Sequence, residues 1–169
     1  MKLKLNPSQL FSHYGALLVY GIPVLVFAWG TIQSQFKGSS NGTRSVKEIA
    51  LVSIVLLIVG SLEFIRKRNK LKFKEYCILV DDKGFVQSVE KTAEQLNWSI
   101  DQLSASYVKA HRDGNWSWSW GEMITVIRDG EKILINSISD PNSLIAGESF
   151  GWNRKNVDTF IRNLHEAQV

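Results

Sequence analysis

The chain has 169 residues, 20 Lys/Arg against 16 Asp/Glu for a net charge of +4, and one cysteine. A single thiol excludes an internal disulfide and a cysteine metal cluster. The charge is uneven: residues 1–71 carry nine cations and two acids, net +7, while residues 72–169 carry eleven and fourteen, net −3. The basic excess therefore flanks apolar segments rather than forming a nucleic-acid surface, and no nucleic-acid partner is expected.

Tyr14–Ile32 is a run of nineteen residues without a charge, and Ile49–Ile65 is a second apolar run with Glu63 near its end. Crossing the hydrocarbon core takes about 20 helical residues. The sequence predicts a membrane hairpin over 1–71, with transmembrane helices at about 14–32 and 49–65. A cleaved signal peptide fits poorly, because a second span follows the first. Residues 66–74 hold six cations, the connecting loop 33–48 holds three and the N-terminus two. By the bias of Lys and Arg toward the cytoplasm, both termini are expected there, in a multi-pass protein of the bacterial inner (plasma) membrane. Arg66, Lys67, Arg68 and Lys70 form the densest part of that cluster. They mark topology, with binding of anionic lipid headgroups as a second reading. Pro23 is expected to kink the first span. No charge sits mid-span and neither span carries GxxxG, so nothing marks an ion path.

Residues 72–169 are expected to form a cytosolic α+β domain, a small antiparallel sheet closed by a C-terminal amphipathic helix. Glu75–Val80 reads as a strand, with Cys77 as a small buried hydrophobe, and Asp81–Gly84 as a turn. Val89–Leu96 has helical spacing, with Ser88 as its cap and Trp98 closing it against the core. Tyr107–His111 alternates like a strand. Asn115–Arg128 and Lys132–Ser139 flank Asp129-Gly130, a tight-turn signal, and predict a hairpin. Residues 153–167 place Val157, Phe160, Ile161 and Leu164 on one helical stripe, with Asn153 or a neighbour as cap.

Chemical motifs are sparse. Gly38-Ser39-Ser40-Asn41-Gly42 matches G-x-S-x-G by letter but lacks the strand before it and the helix after it that expose a nucleophile. His13, His111 and His165 have no second ligand at i+3 or i+4, and no phosphate loop or dinucleotide fingerprint is present. No catalytic residue, cofactor or metal is expected, and the chain reads as a non-enzyme. Asn136, Ser137 and Asn153–Asn156 read as polar caps, or as an anion-holding helix start.

Trp116-Ser117-Trp118-Ser119-Trp120 is the most unusual segment. In a strand the three indoles share one face, which continues to Glu122, Ile124 and Val126. Two readings stay open. One is a core face with a bulge at Gly121. The other is a ligand or partner groove of Trp116, Trp118 and Trp120 with Glu122 as polar anchor. Anchoring of the indoles at a membrane interface is a third.

Lys132–Pro141 (KILINSISDP) followed by SFGWNRKNVDTFIRNL, with Phe160 and Leu164 in an F-x-x-x-L pattern, resembles the end of bacterial pleckstrin-homology-like membrane domains over about residues 105–167. That resemblance implies a binding or assembly module and carries over no functional residues. In architecture alone the chain is similar to antiphage effectors that join two membrane helices to a strand-rich, cyclic-nucleotide-binding domain. The leading expectation is a non-enzymatic inner-membrane protein whose cytosolic domain binds a protein partner, as subunit or regulator of a membrane-associated assembly, or as a homo-oligomer. The alternative is a ligand-gated membrane effector or sensor.

Overall fold

The computed structural model describes residues 1–37, 46–114, 120–142, 149 and 151–168. Its contacts divide the chain into two units, Met1–His13 with Lys70–Val169, and Tyr14–Asn69. By these contacts the N-terminal thirteen residues group with the sheet domain.

The larger unit is α+β. Its five strands are β1 (Lys74–Cys77), β2 (Ser99–Leu103), β3 (Tyr107–Arg112), β4 (Glu122–Asp129) and β5 (Lys132–Ser139), all paired antiparallel in the order β1-β5-β4-β3-β2. Between β1 and β2, at opposite edges, the chain crosses as helix α4 (Asp82–Leu96), and the sheet closes with α5 (Trp152–Glu166). Both helices pack on one sheet face. Phe85, Val89 and Leu96 of α4 and Val157, Phe160 and Leu164 of α5 meet Val108, Ile124, Val126 and Ile135 of the sheet. The Phe160 ring stands edge-on to Phe85 at 6.2 Å and tilted to Trp98 at 6.3 Å, geometries that aromatic quadrupoles favour.

Local chemistry explains where the elements begin. Asp81, in extended conformation, caps α4 by accepting from the Gly84 amide at 2.7 Å. A Cβ on Gly84 would lie 2.8 Å from that carboxylate oxygen. The Asp-Asp-Lys-Gly signal is therefore a helix start, and α4 begins well before the expected Ser88 cap. Ser88 lies buried inside the helix, its hydroxyl donating to the Gly84 carbonyl at 2.7 Å. Gly151, at φ +94°, takes the cap position of α5 with no side-chain bond, and Asn153 sits inside that helix. The β4–β5 hairpin pairs Asp129 with Lys132, so its two-residue loop is Gly130-Glu131, with Gly130 at φ +59°. This is the Gly-first tight turn. Cys77 is exposed on edge strand β1, not buried. Beside it Glu75 pairs with Lys132 at 2.7 Å, and that hydrogen bond holds the Glu75 carboxyl below its ordinary value. The pair's contribution is present above the ordinary carboxylate range and fades as pH falls through the lowered value.

The smaller unit contributes α2 (Leu18–Lys37), with Pro23 inside it, and most of α3 (Val46–Lys70). A turn at residues 16–17 separates α2 from the short α1 (Pro7–Gly15), so the first apolar helix starts at Leu18 rather than at Tyr14. Among the described residues no single helix is long and apolar enough to cross a membrane; Pro7–Gly15 and Leu18–Gly30, a pair bent at its break, meet the requirement together. Large apolar side chains are nonetheless exposed along both helices, among them Val19, Leu25 and Trp29 on α2 and Leu51, Leu57 and Leu62 on α3. The helices approach closely at Gly60, where an added Cβ would lie 3.2 Å from that of Tyr20. Tyr14 and Phe64 stack at 5.4 Å nearby.

Candidate functional site

In β3 and β4 the pairs Val108–Val126, Ala110–Ile124 and Arg112–Glu122 stand opposite one another. Residues two apart on a strand share a face, so the last pair continues the helix-covered apolar face with two charges. Glu122 is fully buried and Arg112 is 5 % exposed. Arg112 Nε donates to Glu122 Oε2 at 2.6 Å. The guanidinium also lies 3.7 Å from the centre of the Trp152 ring, at the first residue of α5, and Lys155 Nζ lies 4.2 Å from the same ring centre. Each cation over the indole ring is a cation–π contact, strongest where water is excluded. Arg112 Nη2 is buried and has no hydrogen-bond partner among the described residues.

Gly121 sets this corner. At φ +94° it adopts a conformation that side chains disfavour, and a Cβ there would lie 2.9 Å from the Arg112 carbonyl oxygen. Strand β4 begins at Glu122, the residue after this backbone change, and residues 115–119 of the expected strand lie outside the described residues. Trp120, two residues before the strand, is 65 % exposed. The structure therefore does not bring Trp120 and Glu122 to one surface: the indole faces out while the carboxylate is sealed in. Trp116 and Trp118 lie outside the described residues, as does the 38–42 serine motif.

A second polar cluster follows along the same face. Trp98 Nε1 donates to Asn156 Oδ1 at 3.1 Å, Asn156 Nδ2 to Ser137 Oγ at 3.1 Å, and Ser137 Oγ to Asn153 Oδ1 at 3.0 Å. Between the helices Asn163 Nδ2 donates to Thr92 Oγ1 at 2.8 Å. These chains fix helix on sheet. They contain no nucleophile set against a base. Among the described residues no group of three His, Cys, Asp or Glu could hold a metal. His111 pairs with Asp101 at 2.8 Å and His165 with Gln168 at 3.3 Å.

The residues that sequence reasoning missed lie where the chain enters and leaves the apolar helices. Leu3 N donates to Leu71 O at 2.8 Å and Phe73 N to Met1 O at 3.2 Å, around an antiparallel bridge of Lys2 with Lys72. Asn136, 3 % exposed on β5, donates through Nδ2 to the carbonyls of Lys70 at 2.8 Å and Lys72 at 2.9 Å. Gln9 reaches Asn142 at 3.0 Å. The only signal for this was the alternation shared by Lys2–Leu5 (KLKL) and Lys70–Lys74 (KLKFK). Of the basic cluster, Arg66, Lys67 and Arg68 occupy the last turns of α3 and Lys70 is its final residue. Cations there complement the helix dipole. Arg66 pairs with Glu63 at 3.3 Å, Arg68 is exposed and Lys67 is buried.

No family model matches this chain, and no curated protein matches it.

Proposed function

We propose that this chain is a non-enzymatic, two-span protein of the inner membrane whose cytosolic sheet domain binds a protein partner, as subunit or regulator of a membrane-associated assembly. The observation that carries the reading is the pairing of Met1–Leu3 with Leu71–Phe73. It holds the chain before the first apolar run beside the chain after the second. If those runs cross a bilayer, they do so as a hairpin with both ends on one side, and six cations in residues 66–74 assign that side to the cytoplasm. The apolar side chains exposed along α3 support the spans, since a helix with so wide an apolar surface needs a lipid or protein surround.

The partner half of the reading is supported by the outer edge of the sheet. All five residues of β2 are exposed, including Ile100 and Leu103, and an edge strand offers unpaired backbone groups to an added strand. The pleckstrin-homology-like resemblance, which rests on β5 and α5, points the same way, to a binding module.

The test is purification of the tagged full-length protein in mild detergent, with mass spectrometry of what co-purifies. A stoichiometric protein partner is expected, lost when Ile100 and Leu103 are both changed to Lys. A homo-oligomer that carries a small molecule and no partner would replace this reading with a ligand-gated effector.

A further inference from the structure

Between α2 and α3 lies a groove of about 380 Å³, walled by Leu17, Tyr20, Gly21, Leu57, Gly60 and Phe64 among others. Its volume falls inside the roughly 300–1,000 Å³ of small-ligand sites, and its walls are almost wholly apolar. On α3 the groove residues Leu57, Gly60, Ser61 and Phe64 recur at three- and four-residue intervals. The same helical face reaches Lys67 and Arg68 in the next turn, about 5–6 Å further along the axis. An apolar slot thus runs toward a cationic rim on one helix.

We propose that this groove holds one anionic phospholipid, its acyl chain lying against Tyr20, Gly21, Gly60 and Phe64 and its phosphate facing Arg68. The proposal rests on the two-span reading above. Charge selects this occupant over a second copy of the chain. A second hairpin would bring its own cluster of cations to the rim, whereas a phospholipid supplies an apolar chain and a negative head in the required order. The mouth at the basic end of α3 also matches the depth at which headgroups lie if α3 spans.

The groove can be filled without disturbing its walls at Gly21, where an added Cβ meets nothing within 4 Å. Full-length protein in detergent is titrated with phosphatidylglycerol and with phosphatidylcholine of identical acyl chains, and retained lipid is counted by native mass spectrometry. Phosphatidylglycerol is expected to be retained at least about fivefold better. Arg68→Gln should lower its retention by about fivefold and leave phosphatidylcholine unchanged. Gly21→Leu should lower both lipids. Equal retention of the two lipids by the unaltered protein would overturn the proposal, and so would full retention of phosphatidylglycerol by the Arg68→Gln variant. An alkaline carbonate wash of membranes separates the two levels of the argument. Extraction of the protein into the supernatant defeats the span reading itself. A protein that stays in the pellet but shows no lipid preference defeats only the groove.

Discussion

Glu122→Ala is expected to destabilise the sheet domain by about 3–5 kcal/mol, the cost of stranding a buried charge when its partner is removed. Arg112 is 5 % exposed and Glu122 is fully buried. With the carboxylate gone, the Nε hydrogen loses its acceptor, which the Trp152 ring does not replace. Its Nη2 is already buried without a partner among the described residues, so a second orphaned donor would sit in the same pocket. The double variant Arg112→Met/Glu122→Leu should recover most of the loss, because two apolar side chains of similar volume need no compensation. Urea unfolding of the full-length protein in detergent measures both. A Glu122→Ala loss below about 1 kcal/mol, the range of exposed pairs, would show that water reaches this corner, and would return Glu122 to candidacy as a groove anchor.

Asn136→Ala is expected to cost about 1–3 kcal/mol, since it removes the two part-buried hydrogen bonds to the Lys70 and Lys72 carbonyls, each worth about 0.5–1.5 kcal/mol. Both bonds are short, 2.8 and 2.9 Å, and the side chain is nearly fully buried. The damage should be local to the junction. Hydrogen exchange of the Leu3 and Phe73 amides, which bond Leu71 and Met1, is expected to accelerate, while the β3–β4 amides keep their protection. Uniform acceleration across the sheet would mean that Asn136 supports the whole fold rather than the junction.

The sequence was legible where periodicity had to serve burial. The Val157, Phe160 and Leu164 stripe of α5 is buried as spaced, and β5 runs from Lys132 to Ser139 as its pattern indicated. Strand β2 was not legible, because it is an edge strand with all five residues exposed and an irregular register between Ile100 and Gln102. Nothing in such a strand alternates. The start of α4 was hidden because Ser88 and Asp81 are both competent caps, and only the close approach of Gly84 to Asp81 decides between them. At the site, the sequence marked Glu122 as an acid on an apolar face, but its partner lies ten positions earlier and is identified only by the β3–β4 register. The N-terminal pairing joins residues about seventy positions apart, and the alternation that Lys2–Leu5 and Lys70–Lys74 share does not say that they pair with each other.

The central claim, that both apolar runs cross the membrane and leave the sheet domain in the cytoplasm, is tested most directly by the chain's own thiol. Cys77 is the single cysteine and is exposed on β1. It can be challenged in intact cells with a membrane-impermeant maleimide, beside a Ser40→Cys/Cys77→Ser variant that moves the thiol into the connecting loop. The account predicts that Cys77 is protected until the membrane is broken, whereas the loop thiol is labelled in intact cells. Labelling of Cys77 from outside, or protection of both thiols until lysis, would contradict it.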